Sequence, residues 1–203
     1  MLSRDGTDPA AAAGPAPAIH AGTGDSGDGI ALPPVATEPL AFDPIEEARA
    51  QWSARWEPDV SDAMAAATSI MRAQQVVLAA VDAALRPFGL TFARYEGLVL
   101  LLHSRRGVLP LGKMGQRLMI HPTSVTNIID RLEQQGLVRR LPHPTDGRTT
   151  LAELTDDGRR LAKRATLAVN DVAFGLGSLS TADLQQLVRI IRKLRLGVGD
   201  FTD

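Results

Sequence analysis

Apolar positions are sparse over the first 40 residues and then recur at helical spacing through most of the remaining chain. Residues 1–40 are rich in Ala, Gly, Pro and Asp. They offer too little apolar surface to offset the entropy of ordering, so the pattern predicts a disordered tail followed by one domain over 41–203. Asp43-Pro44-Ile45-Glu46-Glu47 opens the first helix, expected over 42–57: Asp43 caps it, Pro44 suits its first position, and the glutamates favour its positive end. Trp52 and Trp56, four apart, share one face of that helix, which predicts that this face is buried. From Ser61 to Arg86 the residues Met64, Ile70, Met71, Val76, Val77, Leu78, Val81 and Leu85 crowd more than one side of a long helix, and deep burial is expected. Pro87 and Gly89 stop it, Thr91 caps a helix carrying Phe92, Tyr95, Leu98 and Leu101 to about Ser104, and Gly107 breaks the chain.

The next segment changes character. Pro110 to Leu118 reads as a short helix with Leu111, Met114 and Leu118 inward, and Gly115 leaves room for a second helix to cross closely. Met119-Ile120-His121 makes the turn, Pro122 begins a helix to Gln135, and Gly136 ends it. On this helix Val125, Ile128, Ile129 and Leu132 fall on one face, with Thr123, Thr126, Asn127, Asp130 and Arg131 opposite. The outline is a helix-turn-helix whose second helix presents short hydrogen-bonding side chains, the chemistry that reads base edges, with Asn127 foremost. Two short strands follow, joined by Pro142-His143-Pro144-Thr145-Asp146-Gly147-Arg148. Asp-Gly favours a turn and Arg148 sits where a hairpin tip can enter a minor groove. A solvated basic tip would look the same; its place directly after a reading helix is what points to DNA.

Thr155-Asp156-Asp157 starts another helix, and Ser180 with Asp183 makes a capping box ahead of Leu184, Leu187, Val188, Ile191 and Leu194. The flanking helices, 61–104 and 155–203, carry more apolar surface than the 109–154 module can cover, which predicts dimerisation through them.

Charge and composition narrow the chemistry. The formal net charge is −1, yet beyond residue 40 there are 21 basic and 18 acidic residues, and 104–164 alone holds 12 basic against 6 acidic. That local surplus suits a protein that docks one face on DNA. There is no cysteine, so disulfides, thiolate metal sites and thiol redox sensing are excluded. No run of about 20 apolar residues and no signal-peptide pattern occur, so a cytoplasmic protein without a membrane partner is expected. Gly112-Lys113 lacks the upstream glycine and following Ser/Thr of a phosphate loop, and His20, His103, His121 and His143 are scattered; no catalytic residue, metal or cofactor is assigned.

Leu111-Gly-Lys-Met-Gly-Gln-Arg-Leu118, His121-Pro-Thr-Ser-Val-Thr-Asn-Ile-Ile-Asp-Arg-Leu-Glu133, Gly136-Leu-Val-Arg-Arg140 and His143-Pro-Thr-Asp-Gly-Arg148 together resemble the MarR family of bacterial regulators, over roughly residues 60–196. The resemblance implies a mainly α fold with a small β-hairpin wing (α+β) and a homodimer interlocked through its terminal helices. It further implies repression at a palindromic DNA operator, relieved by a small-molecule effector. The DNA-contacting set is then Lys113, Thr123, Ser124, Thr126, Asn127, Arg131, Arg140, His143 and Arg148. The position of Asn127 is often arginine in the family, so base preference does not carry over. In such proteins wing aspartates and arginines also pair structurally, so Asp130, Asp146 and Arg140 can orient the wing without touching DNA. Effectors of the family bind between the dimerisation helices and the DNA-reading lobe, which makes Arg72, Arg94, Tyr95 and His103 candidates; the helix with Trp52 and Trp56 resembles an extension of urate-responsive members, suggesting a urate-like or aromatic acid ligand. The alternative is a winged-helix module that binds protein or RNA; the outer face around Thr123, Asn127 and Arg131 lacks the apolar anchors a protein partner would use.

Overall fold

The computed structural model describes residues 39–202, so the expected tail over 1–40 lies, but for its last two residues, outside the described part. In chain order the elements are α1 (Pro44–Ser53), α2 (Pro58–Leu85), α3 (Phe92–Leu102), β1 (Val108–Pro110), α4 (Leu111–Leu118), α5 (Pro122–Gln134), β2 (Val138–Pro142), β3 (Thr150–Leu154), α6 (Asp156–Asp171) and α7 (Thr181–Gly197). This is the mainly helical winged helix-turn-helix expected from the sequence, with one addition. Three residues before α4 form β1, which makes the wing an antiparallel three-stranded sheet in the order β1-β3-β2, with Ala152 opposite both Leu109 and Arg140.

Local chemistry sets the helix ends. Asp43 accepts a hydrogen bond from Ile45 N at 2.8 Å, as its position predicts. Thr91 does not cap α3 with its hydroxyl; Asp82 on α2 does so instead, accepting from Phe92 N at 2.8 Å and tying the two helices together. Ser180 and Asp183 form the anticipated capping box on α7. Gly89, at φ +65, lets the chain leave the turn after α2 in a conformation that side chains resist.

One core joins the helices to the wing. Val81 and Leu85 of α2, Leu98 and Leu101 of α3, Met114, Val125, Ile129, Leu132, Ala152, and Ala162, Ala165 and Val169 of α6 are buried together. The N-terminal turn of α6 seats directly on the start of the wing: a Cβ on Gly158 would lie 2.0 Å from Leu137 O.

Two expectations of burial need correction. Trp52 and Trp56 remain 41% and 59% exposed; α1 is held to α2 by polar contacts instead, an Arg49–Asp62 ion pair at 2.7 Å and a Ser53–Ser61 hydroxyl hydrogen bond at 2.9 Å. On α2 only Ser61, Ala65, Val81 and Leu85 are buried, while Ile70, Met71 and Val76 face outward. One apolar stripe of α2 packs on its own chain and the other has no cover among the described residues. Likewise α7 buries none of its residues and exposes Leu187, Val188, Ile190 and Leu194. Between α6 and α7 the backbone turns through Ala173, Phe174 and Gly175, with φ of 47°, 54° and 78°, and Gly175 packs on α2 so closely that a Cβ there would meet Ala80 at 2.7 Å.

Candidate nucleic-acid interface

The reading helix is positioned by α4. At Gly115 an added Cβ would meet Ile120 O and Val125 Cγ2, each at 3.3 Å, so the small residue lets α5 cross closely, as its spacing suggests. Met119 takes a left-handed conformation (φ 56°, ψ 40°) to close α4, and Ile120 N donates to Gly115 O at 3.1 Å. His121 then caps α5: its Nδ1 accepts from Thr123 N at 3.2 Å, which leaves the proton of the neutral ring on Nε2. The sequence reading placed His121 in the turn and missed this role. With Val125, Ile129 and Leu132 buried, α5 holds Thr123, Ser124, Thr126, Asn127 and Arg131 exposed on its outer side. Thr126 Oγ1 donates back to Pro122 O at 3.2 Å, whereas the Asn127 amide makes no hydrogen bond among the described residues. Lys113, on α4, is exposed beside this helix pair in sequence and free of carboxylate partners among the described residues.

The two adjacent arginines of β2 go to opposite faces. Arg139 pairs across the sheet with Glu153, its register partner on β3. Arg140 turns to α5: its Nη1 lies 2.6 Å from Glu133 Oε2, its Nη2 2.6 Å from Asp130 Oδ1, and its backbone N–H donates to Glu133 Oε1 at 2.9 Å. Among the residues expected to contact DNA, Arg140 is therefore engaged inside the protein. Glu133, which the sequence reading did not single out, holds both the backbone and the side chain of Arg140; those two hydrogen bonds, backbone first, keep its carboxyl below the ordinary glutamate value. Its signal was available as a second acid one helical turn beyond Asp130.

The wing loop is built around Asp146. Its carboxylate accepts from Arg148 N at 3.0 Å and from Thr149 Oγ1 at 2.6 Å, and these bonds, the hydroxyl first, hold its carboxyl below the usual range. His143 Nδ1 accepts from Thr145 N at 3.4 Å, and His143 N donates to Thr149 O at 3.2 Å. The loop is thus closed by its own side chains, and the Arg148 guanidinium, exposed, has no ion pair among the described residues. Exposed donors of α5 and an uncommitted cation on the next loop, all on rigid supports, form a surface able to meet base edges and phosphates.

The expected effector residues sit on α1, α2 and α3 and in the turns at their ends. Trp52 lies on α1 and Trp56 in the turn that follows it; Arg72 hydrogen-bonds Gln75 within α2; Arg94 hydrogen-bonds Thr91; His103 is exposed at the end of α3. Tyr95 is buried, and its hydroxyl donates to Thr166 Oγ1 of α6 at 3.2 Å. Trp56 N donates to Trp52 O at 2.9 Å, and no side-chain hydrogen bond joins any two of the six among the described residues. A shallow concavity of about 440 Å³ lies elsewhere, along Thr181, Leu184, Gln185, Val188 and Arg189 of α7.

Residues 90–150, from two residues before α3 to the first residue of β3, match the MarR family model. Among solved structures, a MarR family transcriptional regulator from Streptomyces coelicolor, Sco5413, is 51% identical with a TM-score of 0.65, over 70% of this chain and 99% of its own. A second from the same organism, Sco3205, solved in complex with DNA, is 27% identical with a TM-score of 0.60, over 64% of this chain and 87% of its own. CouR from Rhodococcus jostii RHA1, solved bound to p-coumaroyl-CoA, is 26% identical with a TM-score of 0.55, over 66% of this chain and 92% of its own.

Proposed function

With the chain a member of the MarR family of DNA-binding transcriptional regulators, we propose that it acts as a homodimeric repressor on a palindromic operator, released by a small-molecule effector. The observation that carries this reading is the pairing of an exposed polar row on α5, centred on Asn127, with an uncommitted Arg148 on a loop that Asp146 holds closed. Thr123, Ser124, Thr126, Asn127 and Arg131 enter the major groove, Lys113 and His143 reach phosphates, and Arg148 enters the minor groove. Arg140 is assigned to orientation of the wing, because Asp130 and Glu133 already occupy it.

The outward apolar stripes of α2 and α7 support the dimer, since a second copy would cover both. By length and composition α2 with its following turn could cross a membrane; Val81 and Leu85, wholly buried in the core, favour the dimer reading instead. The regulators that it resembles are not enzymes, and we assign the chain no catalysis and a cytoplasmic place. An effector that prefers the wrong spacing of the two reading helices would weaken DNA binding tenfold for each ~1.4 kcal/mol of preference. An aromatic acid or urate-like molecule is the class suggested by the exposed Trp52 and Trp56.

Selection of bound duplexes from a random-sequence pool, followed by sedimentation of the complex, tests the reading. A palindromic motif bound by two chains is the expected result. Enrichment of no duplex sequence, or of single-stranded RNA instead, would overturn it.

A further inference from the structure

The far end of α7 returns to the DNA-reading lobe at one side chain of the helix-turn-helix. Arg195 Nη2 donates a hydrogen bond to Met119 Sδ at 3.1 Å, joining positions 76 residues apart. Met119 is the left-handed residue that turns α4 toward α5, and it is 62% exposed. The guanidinium that meets it is held from two other directions: Arg195 Nε donates to Asp200 Oδ2 at 2.5 Å, and the group lies 5.3 Å from the centre of the Phe201 ring, which Arg192 also faces at 4.9 Å. The sulfur therefore faces a fixed cation and not a mobile side chain.

A thioether is a weak acceptor, and a sulfoxide is polar with an oxygen that accepts far better. The chain has no cysteine, so a two-electron oxidant finds no thiol and thioether sulfur is its natural target. Met114 is wholly buried. Met71 is as exposed as Met119 within the chain, but it stands on the α2 stripe assigned to the dimer, and its sulfur accepts no hydrogen bond from a cation among the described residues.

We propose that Met119 is a sulfoxidation site through which an oxidant of the hypochlorous acid class alters the joint between the helix-turn-helix and α7. The sulfur gives up two electrons and gains the oxygen of hypochlorous acid, the chlorine leaves as chloride, and the hydroxyl proton passes to water. The new sulfoxide oxygen takes over the Nη2–H of Arg195 and binds it more strongly than sulfur did. The turn that aims α5 is then tied to a helix of the dimer face and loses freedom to follow the groove. This last consequence rests on the DNA-reading function; the modification and the tightened contact do not.

The test uses the full chain, treated with sub-stoichiometric hypochlorous acid, beside Met119→Leu, Met71→Leu and Arg195→Ala treated alike. Peptide mass spectrometry is expected to find oxygen on Met119 ahead of Met71, and amide exchange across residues 119–123 is expected to slow on oxidation. Affinity for a duplex selected from the random pool should fall about fivefold and recover after treatment with methionine sulfoxide reductases of both stereochemical types. Met119→Leu should show the same affinity before and after treatment, Met71→Leu should respond like the wild type, and Arg195→Ala should take up the oxygen without the exchange change. Oxidation of Met71 ahead of Met119, unchanged exchange in oxidised wild type, or an Arg195→Ala response equal to wild type would overturn the proposal. Failure of the DNA-reading function would look different: no form would bind the duplex, while mass and exchange would still decide the site.

Discussion

Arg140 Nη1 lies 2.6 Å from Glu133 Oε2, so the base of the wing is bolted to the second half of the reading helix. Because Asp130 takes the other terminal nitrogen at 2.6 Å, two carboxylates offset the charge of the guanidinium and weaken its pull on a phosphate. The proposed role of the side chain is to position the wing, and Arg148 is the wing arginine with no ion pair among the described residues. Arg140→Ala should therefore lower stability by about 1 kcal/mol and weaken binding to all duplexes alike, with an unchanged salt dependence. Arg148→Ala should leave the melting temperature in place and reduce the log–log salt slope by about one. Titrations at several salt concentrations separate the two; a reduced slope in Arg140→Ala would show that this arginine reaches DNA after all.

The same contact predicts a pH dependence. Hydrogen bonds from Arg140 hold the Glu133 carboxyl below its ordinary value. A carboxylate depressed in the folded state contributes stability that is present above the unfolded value, about 4.3 for glutamate, and is lost as pH falls through the folded value. Melting temperatures measured downward from neutral pH should thus fall below about pH 4.3, and Glu133→Gln should flatten that fall. Asp146, held low by Thr149 and the Arg148 N–H, adds to the wild-type slope in the same direction. A Glu133→Gln curve parallel to wild type in this range would remove Glu133 from the balance.

The reading helix was legible because its signals are local. Pro122 at the start, Gly136 past the end and four apolar residues at helical spacing define α5 within one residue of its observed limit. Strand β1 was illegible for the opposite reason: three residues ending in Pro110 become a strand only by pairing with β3, more than 40 positions away. Burial on α2 was misread because hydrophobicity at Ile70, Met71 and Val76 reports a need for cover without saying which chain supplies it. Arg139 and Arg140 are neighbours in sequence, yet strand alternation sends one to Glu153 and the other to α5. Sequence also gives no sign that Tyr95 is core, with its hydroxyl on Thr166 some 71 positions away.

Gly158 carries a constraint that local pattern does not reveal. Leu137 O accepts from both the N–H and the hydroxyl of Thr155, at 3.1 and 3.0 Å, and this draws the first turn of α6 onto the wing. An alanine Cβ at 158 would sit 2.0 Å from that oxygen, which is backbone and has no rotamer to escape into. Alanine normally favours a helix, so propensity alone predicts stabilisation. The contact predicts the reverse: Gly158→Ala should lose at least ~2 kcal/mol in denaturant unfolding. A neutral or stabilised variant would mean that α6 lifts from the wing at little cost.

The exposed apolar side of α7 gives the sharpest prediction about assembly. Val188 is 66% exposed and Ile190 57%, on a helix that buries nothing in its own chain. A charge placed there meets water in a monomer and costs little, and glutamate favours a helix more than valine does. In a dimer that covers the same stripe, the charge is desolvated without a partner. Val188→Glu should therefore leave the helical circular dichroism of the chain intact and shift its mass in light scattering from two chains to one. Operator affinity should fall steeply in the same variant, because each half-site then binds alone. A Val188→Glu protein that stays dimeric would move the interface off α7, leaving the stripe on α2 to be tested at Ile70 by the same substitution.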